Sequence, residues 1–215
     1  MLKENNNNYC TIYLVRHGET EWNKKGIIMG QSDSPLTETG IEQVKATAQE
    51  LKHIDFAAIF SSDLHRAKRT AEIIMLERQI AVQTSKALRE RTYGHYEGMA
   101  SEEYRKIFQD TFNKLKRLTE EEQKKFKFDH DIESDEEVIG RLITKLREIA
   151  VAYPGKNVLV VSHGSCIRTF LTHAGYAKFG ELQTGAVSNG GYVRVLCDGI
   201  DFFIKEVKGI KNNPG

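Results

Sequence analysis

Residues 11–20 read TIYLVRHGET. The first five are a short β-branched and aromatic run, the composition of a strand buried on both faces. The run stops at Arg16–His17–Gly18. A second junction of the same kind follows far along the chain, where VLVV at 158–161 leads into Ser162–His163–Gly164. In an open parallel sheet, ligands bind beyond the carboxyl ends of the strands. Both histidines are therefore expected at the edge where chemistry occurs. A glycine after each lets the backbone turn sharply or approach a ligand closely. One such junction reads equally well as a structural histidine at a strand end. The recurrence favours chemistry.

Outward from these junctions, apolar runs alternate with helical patterns. Ile41, Val44, Ala48 and Leu51 recur at helical spacing after Pro35–Leu36–Thr37, with Thr37 or Thr39 as the N-cap. FAAIF at 56–60 reads as a second strand, followed by a cap signal at Ser61–Ser62–Asp63 and a helix over 64–78. Residues 80–84 read as a third strand, and a helix is expected over 166–173. YVRVLC at 192–197 and FFIKEV at 202–207 flank Asp198–Gly199, a hairpin signal. The pattern predicts an α/β fold: a three-layer αβα arrangement with a mostly parallel sheet, an antiparallel edge and an inserted helical cap.

Length and composition agree with one domain. The chain has 215 residues, 40% hydrophobic and 28% charged, which excludes low-complexity and wholly disordered classes. Residues 9–98 and 133–208 are expected to form the core, 99–132 the cap, and 1–8 and 209–215 the tails. The cap stretch is rich in charge and holds Lys114, Lys116, Arg117, Lys124, Lys125 and Lys127. These six either line a second anion site or form a solvated helix face balanced by Glu120, Glu121 and Glu122. Lys and Arg total 31 against 30 Asp and Glu, a net charge of +1. No nucleic-acid or membrane partner is expected from that balance, so any anion must be met by a few local cations. Cys10, Cys166 and Cys197 are too few and too widely spaced for a disulfide framework or a zinc site. MLKENNNN at the start lacks the apolar segment of a signal peptide. A cytoplasmic protein is expected, with its oligomeric state left open.

Two more segments carry candidate chemistry. Arg66 falls in the first turn of the helix after FAAIF, where free N–H groups and the helix dipole suit a phosphate. The bland alternative pairs Arg66 with Asp63 or Glu72. Guanidinium forks at Arg16 and Arg66 bind phosphate oxygens bidentately. Glu90, in LRERTYG at 88–94, is placed to protonate a leaving alkoxide, and a neighbouring phosphate would favour its protonated form. Here the bland alternative is a surface cluster of Arg89, Glu90 and Arg91.

Together RHGET at 16–20, WN at 22–23, GQSDSPLTETG at 30–40, SSDLHRAKRTA at 61–71, LRERTYGHYEG at 88–98 and SHG at 162–164 resemble the histidine phosphatase, or phosphoglycerate mutase-like, superfamily. The resemblance implies that His17 becomes phosphorylated and that Arg16, Asn23, Arg66 and His163 hold the phosphoryl oxygens. It implies that Glu90 is the general acid and then the base, and that Gln31, Arg91 and Tyr93 meet the rest of the substrate. No metal or other cofactor is implied. The expected activity is a metal-independent phosphatase acting on small phosphorylated metabolites such as sugar phosphates or phosphoglycerates, the branch that resembles fructose-2,6-bisphosphatase.

Within that resemblance, a phosphoglycerate mutase, a protein phosphohistidine phosphatase and a non-catalytic phosphate-binding scaffold are the rivals. The short stretch between Glu90 and His163 favours a phosphatase over a mutase, whose longer insertion closes the pocket. Three departures stand out. Residues 131–134 (DIES) replace a Pro/Gly-rich PGGES, Tyr96–Glu97–Gly98 replaces WEG, and Ser165 replaces the asparagine that mutases carry after HG.

Overall fold

The computed structural model describes residues 8–76 and 80–211. The expected tail over 1–8 lies outside them except for Asn8, as do Arg78 and residues 212–215.

β1 is Cys10–Arg16, β2 Phe56–Ser62, β3 Val82–Ser85, β4 Asn157–Ser162, β5 Val187–Cys197 and β6 Phe202–Ile210. They form one sheet in the order β3-β2-β4-β1-β5-β6. β1, β2, β3 and β4 pair in parallel, while β5 runs antiparallel to β1 and to β6. The sheet is thus mostly parallel with an antiparallel edge. β3 starts two residues later than expected. β6 runs on to Ile210, so Gly209 belongs to the sheet and not to a tail.

Alternation along β1 builds the layers. Ile12 and Leu14 join Val158, Val160, Val193 and Val195 in one buried cluster, and Tyr13 and Val15 join Ile59, Leu159 and Val161 in another. Successive side chains of a strand point to opposite faces, so the two clusters are the two sides of the sheet. The first is covered by α7 (Asp135–Ala152) and α8 (Gly164–His173). The second is covered by α2 (Glu38–Glu50) and α3 (His65–Ile74). A one-turn helix, α1 (Glu21–Lys24), follows β1.

Thr37 is the N-cap of α2, with Oγ1 accepting from Gly40 N–H at 2.9 Å; Thr39 lies inside the helix. The longest helix, α7, is absent from the sequence expectations. Its signal was there: Ser134 and Glu137 form a capping box, and Val138, Leu142, Leu146 and Ile149 follow at helical spacing, all buried.

Between the two halves of the core lie α4 (Ser101–Ile107), α5 (Gln109–Leu115) and α6 (Glu120–Lys125). Their apolar side chains form a third cluster. Tyr104, Phe108 and Ile132 are buried, with Ile28, Tyr93, Tyr96, Met99, Phe112 and Phe128 packed around them. Of the expected basic group, Lys124 pairs with Glu120 and Glu121 on its own helix, and Lys127 with Glu137. All three cysteines are buried and free. Among the described residues no helix is long and apolar enough to cross a membrane.

Candidate active site

Register brings the two histidines together. Arg16 pairs with Ser162 across β1 and β4, and His17 N–H donates to Ser162 O at 3.1 Å. Their rings lie 5.1 Å apart between centroids. His17 Nδ1 is 2.7 Å from Gly18 O. A carbonyl can only accept, so Nδ1 carries the proton and Nε2 keeps its lone pair. Both rings are buried and held well below the usual imidazole pKa. Burial is the main cause for each. Arg66 and Arg16 add to it for His17; Arg66, His17, Arg141 and Arg16 add to it for His163. For His17, burial outweighs the two arginines. Neither ring nitrogen of His163 has a hydrogen-bond partner among the described residues.

Gly164 lets Arg16 approach, because a Cβ there would stand 3.1 Å from Arg16 Nε. Arg16 donates to Val187 O, which anchors the guanidinium beside the histidines. Gly18 serves packing of a different kind. A Cβ there would meet Gly40 O at 2.5 Å and Val44 Cγ2 at 2.7 Å, so it lets the loop after β1 press onto α2.

Arg66 is 1% exposed and pairs with neither Asp63 nor Glu72. Its Nη1 donates to Ser32 O at 2.6 Å and Asp33 Oδ1 at 3.2 Å, and Nη2 to Gly30 O at 2.7 Å. Asp33 also accepts from the backbone N–H groups of His65 and Arg66. This corrects the expected anion site at the start of α3, since a carboxylate already caps those amides. The guanidinium, not the helix end, faces the site.

Glu97 holds the loop that holds Arg66. Its carboxylate accepts from Gln31 N–H at 2.9 Å, Ser32 N–H at 2.7 Å, Ser32 Oγ at 2.8 Å and Tyr93 N–H at 3.1 Å. Gly30 has φ +53°, and a Cβ there would fall 2.1 Å from Glu97 Oε1. Only glycine fits such a position comfortably.

Glu90 is no surface residue of an arginine cluster. Its Oε1 accepts from Arg91 N–H at 2.8 Å and its Oε2 from Ser165 N–H at 3.1 Å, in the first turn of α8. Arg89 turns away to a two-pronged pair with Asp63 at 2.7 and 2.6 Å. Arg141 of α7 clamps the segment from behind. It donates to Ala87 O, Arg89 O and Glu90 O, and pairs with Glu133 at 2.8 Å. Cys166 Sγ donates to Arg89 O at 3.0 Å.

Asn23 Oδ1 accepts from Thr20 N–H at 3.3 Å and Asn189 Nδ2 at 3.4 Å, which leaves its own Nδ2 as a donor. Asn189 also donates to His17 O at 3.0 Å.

A cavity of about 480 Å³ opens on this group. Arg16, His17, Asn23, Arg66, Glu90, Arg91 and Tyr93 all line it. Gln31 does not. Its side chain bridges Glu90 O at 3.3 Å and Arg89 Nη1 at 3.2 Å, so it supports the Glu90 segment rather than facing substrate. Arg91 is taken up by an ion pair with Asp135; burial pushes the Asp135 carboxyl up, but the Arg91 and Arg168 guanidiniums outweigh it and hold the group below the usual range. Of the expected basic group, Lys116 lines the cavity. Sequence reasoning missed Asp33, Glu97, Asp135, Arg141 and Asn189. All act on partners far along the chain, so no local pattern marks them. Away from the cavity, His95, Asp129 and Asp131 bring ligand-capable atoms within 4.8 Å of one another, and hydrogen bonds from His95, Tyr96 and His130 account for that grouping.

Residues 12–208 match the family model for the histidine phosphatase superfamily (branch 1). The chain is similar to a Bacillus subtilis protein described as the uncharacterized phosphatase PhoE, 37% identical over 161 residues and 75% of each chain. It is similar in structure to Bacillus stearothermophilus YhfR, with a TM-score of 0.80 and 28% identity over 94% of this chain and 98% of that one. A phosphoserine phosphatase from Entamoeba histolytica, solved in complex with 3-phosphoglyceric acid, matches with a TM-score of 0.77 and 26% identity, covering 94% and 98%.

Proposed function

The chain belongs to branch 1 of the histidine phosphatase superfamily, and from that premise we propose that it hydrolyses small phosphomonoesters, metal-independently, through a phosphohistidine at His17. Sugar phosphates and phosphoglycerates fall in that class, and the Entamoeba relative's description supports it. The observation that carries the reading is the bond from His17 Nδ1–H to Gly18 O, which leaves Nε2 as the nucleophile.

In the first step, Nε2 attacks phosphorus, the P–N bond forms and the P–O ester bond breaks in line. Arg16, Arg66, Asn23 and His163 meet the oxygens of the transferring group, and the anchored arginines need no rearrangement to do so. A phosphate beside His163 would favour its charged form, in which both ring nitrogens donate. Glu90 gives its proton to the leaving oxygen. In the second step it takes a proton from water, which attacks phosphorus and restores His17. The core at 9–98 and 133–208 supplies these groups, and the segment at 99–132 acts as the cap.

One finding counts against a mutase: Arg91 is bound by Asp135. The test is a screen of phosphorylated metabolites with chelator present, alongside a phosphoglycerate mutase assay with bisphosphoglycerate primer. Chelator-resistant phosphate release is expected. Primer-dependent isomerisation with little phosphate release would overturn the reading in favour of the mutase.

A further inference from the structure

Cys10 and Cys197 lie far apart in sequence and directly opposite each other in the sheet. They are Cα partners in the antiparallel pairing of β1 with β5. Both side chains belong to the buried cluster on the same face, the one covered by α7 and α8. Residues directly opposite in an antiparallel pair have Cα atoms about 4.5–5.5 Å apart, inside the range of about 4.4–6.8 Å that a disulfide spans. Cys10 is the first residue of β1 and Cys197 the last of β5. In the turn that follows, Gly199 N–H donates to Cys197 Sγ at 3.3 Å. The third thiol, Cys166, stands at the other end of the sheet, on α8 beside Glu90, and donates to Arg89 O. The seven residues of β1, at about 3.3 Å each, separate the two ends by about 20 Å.

We propose that Cys10 and Cys197 are a dithiol modification site, oxidised by a small disulfide to a cross-strand bond that staples β1 to β5 and spares the phosphoryl site. The Cys197 thiolate attacks one sulfur of the small disulfide, which forms a mixed disulfide and expels one small thiol. The Cys10 thiolate then attacks Cys197 Sγ and expels the second. The two cysteine sulfurs are oxidised, the small disulfide is reduced, and its two thiols take up the protons that the cysteines lose. Burial, then the neighbouring Cys197, pushes the Cys10 thiol up to about 12. Burial also raises Cys197, and the Gly199 N–H offsets part of that rise. Both thiols therefore stay protonated at neutral pH while the strands are paired, and reaction waits on opening at this end of the ladder. The bond spares the site because β1 and β5 meet it at their other ends, where Arg16 donates to Val187 O and Asn189 to His17 O.

The test incubates the full chain with glutathione disulfide, with and without urea below the unfolding midpoint, and maps the unreduced peptides by mass spectrometry. A Cys10–Cys197 crosslinked peptide is expected, formed faster in urea and lost on adding dithiothreitol, with Cys166 left as a thiol. The bond closes most of the chain into a loop, so the oxidised protein should unfold at a urea concentration about 1 M or more above the reduced one. Its kcat/KM on 4-nitrophenyl phosphate should be unchanged. Cys10→Ala should give no crosslink and no rise in midpoint on oxidation; if that variant fails to fold, the native peptide map decides alone. Three free thiols after oxidation in urea, a crosslink through Cys166 or a crosslink between chains would overturn the site. An unraised midpoint, or a loss of activity that dithiothreitol restores, would overturn the staple. The crosslink and the midpoint do not depend on the chain being a phosphatase.

Discussion

At His17 one hydrogen bond decides which nitrogen can react, and at Glu90 two backbone amides decide where a proton can be delivered. RHG and SHG were legible in the sequence because each sits at the end of an apolar run. Glu90 was legible only beside the other motifs. What held these groups was not legible. Asp33, Glu97 and Arg141 read in sequence as ordinary charged residues, and only folding brings them to Arg66, the Gly30–Asp33 loop and the Glu90 backbone. Gln31 matched the resemblance yet turned to the Glu90 backbone. At this scale, Glu90→Gln keeps one amide bond, from Arg91 N–H, gives up the one from Ser165 N–H, and cannot deliver or take the proton. It should cut kcat by about 100- to 10,000-fold on alkyl esters. The loss in the phosphorylation step should be smaller on 4-nitrophenyl phosphate, whose leaving group needs no proton. Steady-state and burst kinetics on both substrates check this, and equal losses in that step would contradict it.

Elements follow the same division. β1 and β4 were legible as β-branched runs, β2 as a short apolar run, and α2 from Thr37 and its apolar spacing. α7 was less legible because its first turn, Asp135–Glu136–Glu137, continues the charged stretch before it and hides the Ser134–Glu137 capping box, although α7 carries both Asp135 and Arg141. α3 shows a cap that no local pattern predicts. Its N-cap, Leu64, makes no side-chain bond, and Asp33 supplies the acceptor from another loop. Asp33→Ala should therefore destabilise the protein by about 0.5–2 kcal/mol, the usual cost of a lost cap. It should also lower kcat/KM by freeing Arg66 Nη1. Urea denaturation with parallel kinetics measures both effects, and unchanged stability would contradict the assigned cap.

The whole molecule carries its net charge of +1 unevenly, with a buried Arg66 and a half-buried Arg16 beside two neutral histidines. That arrangement sets a pH dependence. Unfolded, His17 and His163 each take up a proton below about pH 6.5; folded, both are held well below that value by burial, then by their cationic neighbours. The unfolded state then binds more protons. Stability is full above about pH 6.5 and falls as the pH drops from there toward the folded pKa values. The slope is at most about 1.4 kcal/mol per pH unit for each histidine. His163→Gln should remove about half of that slope between about pH 5 and 6.5. An unchanged slope in urea titrations would contradict the burial of a neutral pair.

The most direct test of the account is to mix the protein with a phosphomonoester, quench within one turnover, and map the phosphate by mass spectrometry. The account predicts one acid-labile, base-stable phosphate per chain, on His17, absent from His17→Ala. Full turnover by His17→Ala, or phosphate on any other residue, would contradict it.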